Sequence, residues 1–339
     1  MVATAAAVAG TEEAATNSYA PGQNRLGGSL RFGLNIKARF KGTASVVPPG
    51  RPTRTTPNGD SYNYDNGYVL PDVGGGGQTW YWGYDDNAAQ ISGNTILFSR
   101  STPEGSFSSP ATDYGAQPGF EITYDRYFYR RKGLNIGLEV AANYLNISIE
   151  DRGSFSANVM RTTDAYGYTP GTTPPGATPG NPYQGSFDGP GFLISDTPLT
   201  SSTMLMPGGY TVSGSRTVDA DLWGGRIGPV LDFSINDQLS VGFSAGLALG
   251  ALIADASWNE TILFGKSSVA SAGGGSDSDL LLGWYAGGSI SWSFAEHWSA
   301  QAGVQFQDLG KYSHNFGGRT VELDLSKSLF VTIGASYSF

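Results

Sequence analysis

The sequence is poor in cysteine, histidine, charged residues and long apolar runs. Its 339 residues include no cysteine and two histidines. Charged residues make up 14% of the chain, against about 25% in an ordinary soluble domain. No apolar run reaches the roughly 18 residues that a transmembrane helix requires. The lack of cysteine excludes disulfides and is compatible with an oxidising compartment.

The sequence also lacks recognisable cofactor and metal motifs. No spacing matches a zinc finger, a P-loop or a dinucleotide fingerprint, and the glycine run at 74–77 lacks the flanking strand and helix of such loops. His297 lies in a predicted tight turn, and Ser313 points away from His314 if the chain there is extended. We therefore predict no catalytic, metal or cofactor-binding residue and no enzymatic activity.

The clearest positive feature is the end of the sequence. From Ser328 to Phe339 the chain reads SLFVTIGASYSF, with apolar residues at every second position. Alternation with a period of two places these side chains on one face of a β-strand. Because the opposite face is small or polar, we infer that the apolar face borders a non-aqueous environment.

Seven further segments show the same alternation. Their lengths are close to the roughly 9 to 11 residues that a tilted strand needs to cross the hydrocarbon of a membrane. Arg126 interrupts the second segment, and we predict that it faces lipid near an interface. With the terminal strand, the sequence predicts eight membrane-spanning strands. The seven segments cover residues 30–41, 120–130, 134–144, 223–235, 239–253, 280–294 and 298–306.

The connections between these strands alternate in length. Transmembrane barrels show this asymmetry, with short periplasmic turns and long extracellular loops, and an even strand number places both ends of the barrel on the periplasmic side. The strand character of residues 91–100 leaves open a hairpin above the membrane or a barrel of ten to twelve strands. The tight connections are 131–133, 236–238 and 295–297, and the long ones are 42–117, 150–221, 255–279 and 310–319.

The polar faces of the strands distinguish a membrane barrel from a soluble one. In 239–254 and 298–307 this face carries serine, glycine, glutamine and alanine without a charge, whereas a solvent-facing surface carries lysine and glutamate. The apolar faces carry aromatic residues near both strand ends, as the two girdles of a membrane barrel do. The predicted interface aromatics are Phe40, Phe128, Tyr144, Trp223, Phe233, Trp284, Phe294, Trp298 and Phe306.

The terminal Phe339, with Tyr337 two residues earlier, resembles the last strand of bacterial outer-membrane β-barrels. The chain as a whole is similar to the small OmpA-barrel, OmpX and opacity-protein class, also termed porin-like. This resemblance implies an integral Gram-negative outer-membrane protein that contacts outer-membrane lipid and lipopolysaccharide. The resemblance also implies that the barrel-assembly machinery recognises Tyr337 and Phe339. The predicted fold is all-β, a closed antiparallel up-and-down transmembrane barrel.

The charged residues on the predicted lumen face are the main candidates for a functional role in this sequence. A charge inside a membrane protein is costly unless it is paired or hydrated. One interpretation is a salt-bridge network that plugs the barrel, and the other is a narrow pathway for solutes. Eight strands leave little space beyond the side chains themselves, which favours the plug. The predicted lumen charges are Arg31, Lys37, Arg39, Lys41, Glu121, Asp125, Glu139, Arg226, Asp232 and Asp324.

The first long loop combines aromatic and acidic residues. Trp80, Tyr81, Trp82 and Tyr84 precede two aspartates. Aromatic rings beside carboxylates can stack on sugars or hold Ca²⁺. The simpler interpretation is a small core that orders the loop.

The sequence divides into an amino-terminal tail and one barrel domain. Ala7-Val8-Ala9 before Gly10 matches an A-x-A cleavage site, so we interpret residues 1–27 as a signal-peptide remnant and a periplasmic tail, and 28–339 as the barrel. The net charge of −9 disfavours anionic partners such as nucleic acid. We expect a structural or surface-interaction role carried by the extracellular loops and an extracellular ligand there, with a narrow porin-like channel as the alternative.

Overall fold

The computed structural model describes residues 23–43, 62–71, 74–104, 106–113, 115–131, 133–185, 189–264 and 267–339. The predicted signal remnant lies outside the described residues. Within them the chain forms twenty β-strands and one short helix. In chain order these elements are β1 (Asn24–Leu34), β2 (Lys37–Thr43), β3 (Tyr62–Tyr64), β4 (Gly67–Val69), β5 (Gln78–Thr79), β6 (Trp82–Tyr84), α1 (Asn87–Gln90), β7 (Ile91–Ser92), β8 (Thr95–Pro103), β9 (Ser106–Ser108), β10 (Gln117–Arg131), β11 (Leu134–Asp151), β12 (Phe155–Gly167), β13 (Ile194–Ser195), β14 (Thr200–Ser234), β15 (Leu239–Phe264), β16 (Ser267–Ser293), β17 (Trp298–Asp308), β18 (Lys311–Phe316), β19 (Arg319–Asp324) and β20 (Ser328–Ser338).

Eight of these strands close into a barrel. The antiparallel ring runs β1, β10, β11, β14, β15, β16, β17 and β20, and the pairing of β20 with β1 completes it. Each predicted segment contributes to one ring strand, so the prediction of an eight-stranded up-and-down barrel is confirmed. Closure pairs every strand on both sides, as backbone groups in hydrocarbon require.

The tight connections and both ends of the ring share one rim, termed here the short-turn rim. There β10 ends at Arg131 and β11 begins at Leu134, β14 ends at Ser234 and β15 begins at Leu239, and β16 ends at Ser293 and β17 begins at Trp298. The Asn24 N–H donates to the Phe339 carbonyl at 2.9 Å, which ties the first ring strand to the last residue. The predicted short turns are therefore confirmed.

The first predicted strand is broken at Asn35. This residue has a φ of 58°, and its side-chain amide donates to the Lys327 carbonyl at 2.7 Å. Because a left-handed residue interrupts extended backbone, the chain leaves the barrel after Leu34, and β2 joins another sheet. The prediction of a single strand over 30–41 is wrong beyond that point. The barrel also begins earlier than predicted, since Arg25 of the predicted tail already pairs with β10 and β20.

Several ring strands continue far beyond the membrane. β14, β15 and β16 contain 35, 26 and 27 residues, whereas about 10 suffice to cross hydrocarbon. Residues predicted as the loops 150–221 and 255–279 are thus largely strand. We term the extensions of β11, β14, β15 and β16 the tall wall, which comprises residues 145–151, 216–222, 252–262 and 270–281.

A second sheet covers the inner face of the tall wall. It contains β18, β19, β2 and β9 in that order and is termed the loop sheet. Ala38, Phe40 and Leu323 of the loop sheet share one apolar core with Ile147 and Leu252 of the tall wall. The predicted loops 42–117 and 310–319 therefore contain ordered β-structure within the described residues.

A further core is formed by the first two long connections. Trp82, Tyr84, Phe98 and Tyr166 are fully buried in it. The sequence left open whether the aromatic residues of the first long loop form a ligand site or a small core. Two of them, Trp82 and Tyr84, belong to a core. The hairpin of β7 and β8 pairs with β12, so it adds no strand to the ring.

The two faces of the strands exchange roles at one level of the barrel. On β15 the outward residues are apolar as far as Ile253 and polar from Asp255 to Thr261. The inward residues change in the opposite sense, from serine and glycine to Leu252, Ala254 and Ala256. Because an outward apolar face needs lipid and an outward polar face needs water, this inversion marks the outer boundary of the membrane.

Aromatic side chains ring the barrel at both ends of its apolar belt. At the outer boundary the rings of Tyr144 and Trp223 lie 4.7 Å apart, whereas Trp284, which contacts Phe306, has the exposed Leu280 and Leu282 beyond it on the outward face. On the short-turn rim Phe128, Phe233, Phe294 and Trp298 are exposed on the outward face. Phe40 is an exception to the predicted girdles, since it is buried in the loop sheet beyond the break at Asn35. No helix in the described residues is long and apolar enough to cross a membrane.

Candidate functional site

Glu121 lies at the centre of a buried ionic group in the lumen, termed the lumen cluster. Its carboxylate accepts hydrogen bonds from Arg31 Nη1 at 2.5 Å and from Arg226 Nη2 at 2.7 Å. Arg226 also donates to Glu139, and Arg31 Nη2 donates to Gln307 Oε1 at 2.6 Å. Arg31 is only 1% exposed and Glu121 3%. These charges are therefore neutralised by one another, as burial of an ion requires.

A second ionic group, termed the Arg25 group, lies nearer the short-turn rim. Arg25 Nε donates to Asp125 Oδ2 at 2.8 Å, and its Nη1 lies 3.0 Å from Asp232 Oδ2. Tyr127 donates to the same Asp232 carboxylate. Arg25 and Tyr127 were missed at the level of sequence. The glycines at 27 and 28 conceal the alternation that would have extended the first strand to include Arg25.

Aromatic faces complete the surroundings of the lumen guanidinium groups. The Arg31 guanidinium carbon lies 3.7 Å from the centre of the Phe330 ring, and that of Arg226 lies 4.9 Å from the Tyr285 ring. A cation over an aromatic face is attracted by the ring quadrupole. Each of these two guanidinium groups thus has a carboxylate acceptor and an aromatic ring beside it.

The lumen charges stand on one half of the barrel wall. They come from β1, β10, β11 and β14, which are consecutive in the ring. At the same level β15, β16, β17 and β20 contribute mainly serine, glycine, glutamine and threonine. These small residues make space for the long side chains. A Cβ atom at Gly242, for example, would lie 2.5 Å from Asp232 Oδ1.

Apolar side chains close the lumen above the lumen cluster. Leu145, Leu222, Leu309 and Phe330 are buried and belong to the core that continues between the tall wall and the loop sheet. The lumen in the described part of the chain is therefore closed by an ionic layer and, above it, by an apolar layer.

Six of the ten predicted lumen charges lie in the lumen, and four lie in the loop sheet. The change at Asn35 places β2 outside the barrel, so its charged side chains occupy the solvent side of the loop sheet. There Lys41 Nζ donates to Glu322 at 2.5 Å. The six residues in the lumen are Arg31, Glu121, Asp125, Glu139, Arg226 and Asp232. The four residues in the loop sheet are Lys37, Arg39, Lys41 and Asp324.

The pairing around Glu322 makes the loop sheet sensitive to acid. The hydrogen bond from Lys41, with the charges of Lys311 and Arg39, holds the pKa of the Glu322 carboxyl below its ordinary value of 4.5. A lowered pKa means that folding favours the ionised form, so this stabilisation is present above pH 4.5 and is lost as the pH falls through the folded-state pKa. The contribution is small, about 0 to 1 kcal/mol, because the pairs are near solvent.

We expect the hydrogen-exchange protection factors of β2 and β19 to fall below pH 4.5 more than those of β10. The measurement is amide hydrogen exchange corrected for the intrinsic rate at each pH. The variant Glu322→Gln should reduce this difference between the strands. Asp324, whose partial burial is outweighed by hydrogen bonds from Ser326 and Lys311 that lower its pKa, accounts for what remains. An unchanged difference in the variant would show that another group is responsible.

A further buried ionic group joins the tall wall to the loop sheet. Glu260 accepts hydrogen bonds from Arg216 Nε at 2.5 Å and from Arg319 Nε at 2.9 Å. The two guanidinium groups lie over the rings of Phe155 and Phe107. This group was not predicted, because its members come from segments assigned to separate loops and no local pattern connects them.

A cavity of about 540 Å³ opens at the short-turn rim. Its lining includes Arg25, Tyr127 and Asp232, and the serines at 240 and 291. The cavity therefore leads inward as far as the Arg25 group. A channel through this barrel would use the same mouth.

The two histidines make structural contacts. His314 Nδ1 lies 2.8 Å from Asp277 Oδ2, and Tyr312 donates to the same carboxylate at 3.0 Å, which connects β18 to β16. The ring of His297 lies 5.5 Å from that of Tyr337 at the short-turn rim. Within the described residues no group of three or more histidine, cysteine or acidic side chains could hold a metal ion.

The architecture defines the kind of protein. A closed barrel with an outward apolar belt, two aromatic girdles, short turns on one rim and long extensions on the other is the arrangement of bacterial outer-membrane proteins. The chain is therefore an integral membrane barrel of this kind. Its short-turn rim faces the periplasm, and the tall wall and the loop sheet stand outside the cell.

This orientation predicts the labelling of single cysteines, which the chain itself lacks. We expect Thr173→Cys, in the second long connection, to react with a membrane-impermeant maleimide on intact cells. Asp237→Cys, in a short turn, should react only after the outer membrane is permeabilised. Labelling of Asp237→Cys on intact cells would contradict the orientation.

Comparison with known proteins gives likeness at the level of fold. No protein-family model matches the chain, and no curated protein matches it. Similar solved structures include the attachment invasion locus protein Ail of Yersinia pestis, with 8% identity, a TM-score of 0.27 and coverage of 93% of this chain and 99% of that one. OprG from Pseudomonas aeruginosa has 10% identity and a TM-score of 0.34, over 95% and 98% of the two chains. The protease OmpT from Escherichia coli has 9% identity and a TM-score of 0.31, over 96% and 99%. These identities are too low to transfer a function.

Proposed function

We propose that this chain is a closed outer-membrane barrel that displays an ordered extracellular domain for surface interaction. The observation that carries this proposal is the double closure of the lumen. The lumen cluster pairs its charges directly, and the apolar layer around Phe330 lies above it. A solute would have to break buried ion pairs and then cross a packed apolar core.

The part outside the membrane has the properties of a domain. The loop sheet and the tall wall enclose one apolar core, and the first two long connections enclose another. Connections that served only to join barrel strands would need neither core. The extracellular surface is consequently preorganised, which lowers the entropic cost of binding a partner.

A narrow channel is the competing function. The cavity at the short-turn rim supports it, because this cavity leads to the Arg25 group from the periplasmic side. A channel would require the Arg25 group, the lumen cluster and the apolar layer to move aside together.

Conductance across a planar bilayer tests the proposal. The refolded full chain should insert without producing discrete current steps, and its folded state can be verified by heat-modifiable mobility on a gel. Steps whose ion selectivity changes in Glu139→Ala, together with unchanged stability of that variant, would refute the closed barrel and establish the channel.

We further propose that the chain meets lipopolysaccharide in the outer leaflet and the barrel-assembly machinery through β20. Support for the second partner comes from Tyr337 and Phe339, which are exposed on the outward face of this strand beside Trp298. We propose no enzymatic activity for this chain. His314 contacts Asp277, and this contact connects β18 to β16.

A further inference from the structure

The extracellular part has two exposed faces of opposite charge. The loop sheet and the tall wall pack against each other through one apolar core. In such a two-layer arrangement the outer surfaces point in opposite directions. We term the solvent side of the loop sheet the basic face and the outward side of the tall wall the acidic face.

The basic face is built by the alternation of β2. Ala38 and Phe40 are buried, so the charged residues between them point to solvent. Lys311 of β18 lies on the same face, where it is 3.3 Å from Asp324. Four basic side chains surround two acidic ones, which leaves two positive charges in excess. These residues are Lys37, Arg39, Lys41, Lys311, Glu322 and Asp324.

The acidic face lies on β14 and β15. Asp219 and Asp255 are directly opposite each other on these two strands, and Asp221 follows on the same face. Within the described chain their hydrogen-bond donors are neutral side chains, such as Ser148 for Asp219 and Ser276 for Asp255. Like charges directly opposite each other destabilise a strand pair, so this face would gain from a cationic neighbour.

The two faces lie at the same height above the membrane. Asp221 is two residues from the girdle residue Trp223, and Asp255 is two residues from Ile253 at the end of the apolar belt. Lys37 likewise follows closely after Leu34, the last residue of β1. At about 3.3 Å per residue along a strand, a separation of two or three residues means that both faces begin within roughly 10 Å of the lipid boundary.

The faces also lie on opposite sides of the barrel. The acidic face belongs to β14 and β15, and the basic face rises from β17, β20 and β1. In the ring order, β14 is four strands from β20 and β15 is four strands from β1. An eight-stranded ring places such strands diametrically apart.

We propose that copies of this chain associate side by side in the membrane, with the basic face of one copy against the acidic face of the next. A bilayer holds every copy upright, so two faces at equal height and of opposite charge meet without reorientation. The contact is head-to-tail and therefore repeats into rows or closes into rings. The inference rests on the membrane orientation of the barrel and is independent of whether its lumen conducts.

The experiment measures energy transfer between labelled copies in phosphatidylcholine vesicles that contain EDTA and no lipopolysaccharide. Asp237→Cys provides one labelling site at the short-turn rim. In this background the acidic face is reversed by Asp219→Lys with Asp255→Lys, and the basic face by Arg39→Glu with Lys41→Glu. Glu296→Lys, at the short-turn rim, is the matched control. Folding of each variant is verified by heat-modifiable mobility.

We expect energy transfer in the parent chain that decreases with salt, because exposed charges are screened over about 10 Å at 0.1 M. Each face variant alone should lose the transfer, and Glu296→Lys should retain it. An equal mixture of the two face variants should regain it, as should one chain carrying all four substitutions.

Transfer that survives reversal of either face in a folded protein would overturn the proposal. Loss of transfer without recovery in the mixture or in the fourfold variant would also overturn it. Association that appears only after addition of Ca²⁺ or lipopolysaccharide would assign the faces to those ligands and reject direct contact between copies.

Discussion

Replacement of Glu121 by alanine is expected to lower the free energy of unfolding by about 3 to 5 kcal/mol, the cost of breaking a buried ion pair by removing one partner. Glu121 accepts hydrogen bonds from both Arg31 and Arg226. Without it, Arg226 retains Glu139 and Arg31 retains only the neutral amide of Gln307. A guanidinium that is 1% exposed then lacks a counter-charge. Urea unfolding in lipid vesicles, followed by tryptophan fluorescence, measures the change.

The matched control for this prediction is a solvent-exposed pair at the end of β11. Arg152 Nε donates to Glu150 at 2.7 Å, and its side chain is 74% exposed. Arg152→Ala should change the free energy of unfolding by about 0 to 1 kcal/mol, as exposed pairs do. If Glu121→Ala had an equally small effect, the lumen cluster would be hydrated and the closed barrel would be wrong.

Replacement of Leu247 by arginine is expected to cost about 2 to 4 kcal/mol, the penalty for a cation on the lipid face near the midplane of a membrane barrel. Leu247 is 69% exposed on the outward face of β15 and pairs with Ile227 and Trp284 on the two neighbouring strands. The introduced charge must be dehydrated or must deform the bilayer. The measurement is again the free energy of unfolding in vesicles.

The control for the lipid face lies further along the same strand. Ser257 points outward from β15 beyond the level at which the faces exchange roles, so Ser257→Arg should have little effect. The adjacent inward position Gly246 is unsuitable as a control, because a Cβ there would lie 2.1 Å from the Ile227 carbonyl oxygen. Equal destabilisation by Leu247→Arg and Ser257→Arg would mean that the apolar belt does not border lipid.

The membrane part of this protein could be predicted from the sequence because the polarity of each residue in a spanning strand depends on what that residue faces. Lipid outside and a narrow lumen inside impose a period of two, and a shift by one residue would reverse every side chain. The eight strands, the three tight turns and the inward direction of Arg31, Glu121 and Arg226 followed from this parity. Closure of the ring then left one possible order for neighbouring strands in an up-and-down barrel.

The extracellular part was decided by the tertiary structure. Alternation continues past Asn35, but beyond it Ala38 and Phe40 face a protein core, and Lys41 faces water. A period of two shows that one face is apolar and does not show whether that face borders lipid or another sheet. The same ambiguity let the tall wall be taken for loops, since its outward face is polar.

The partners of the buried charges could not be predicted from the sequence either. Parity placed Glu121 in the lumen, and only the packing of the ring showed that Arg31 and Arg226 share it. The group around Glu260 left no local signal at all, because Arg216 and Arg319 reach it from distant segments. Alternation is a local consequence of what surrounds a strand, and the sequence determined it; the pairing of charges depends on which segments meet, and only the folded chain decides that.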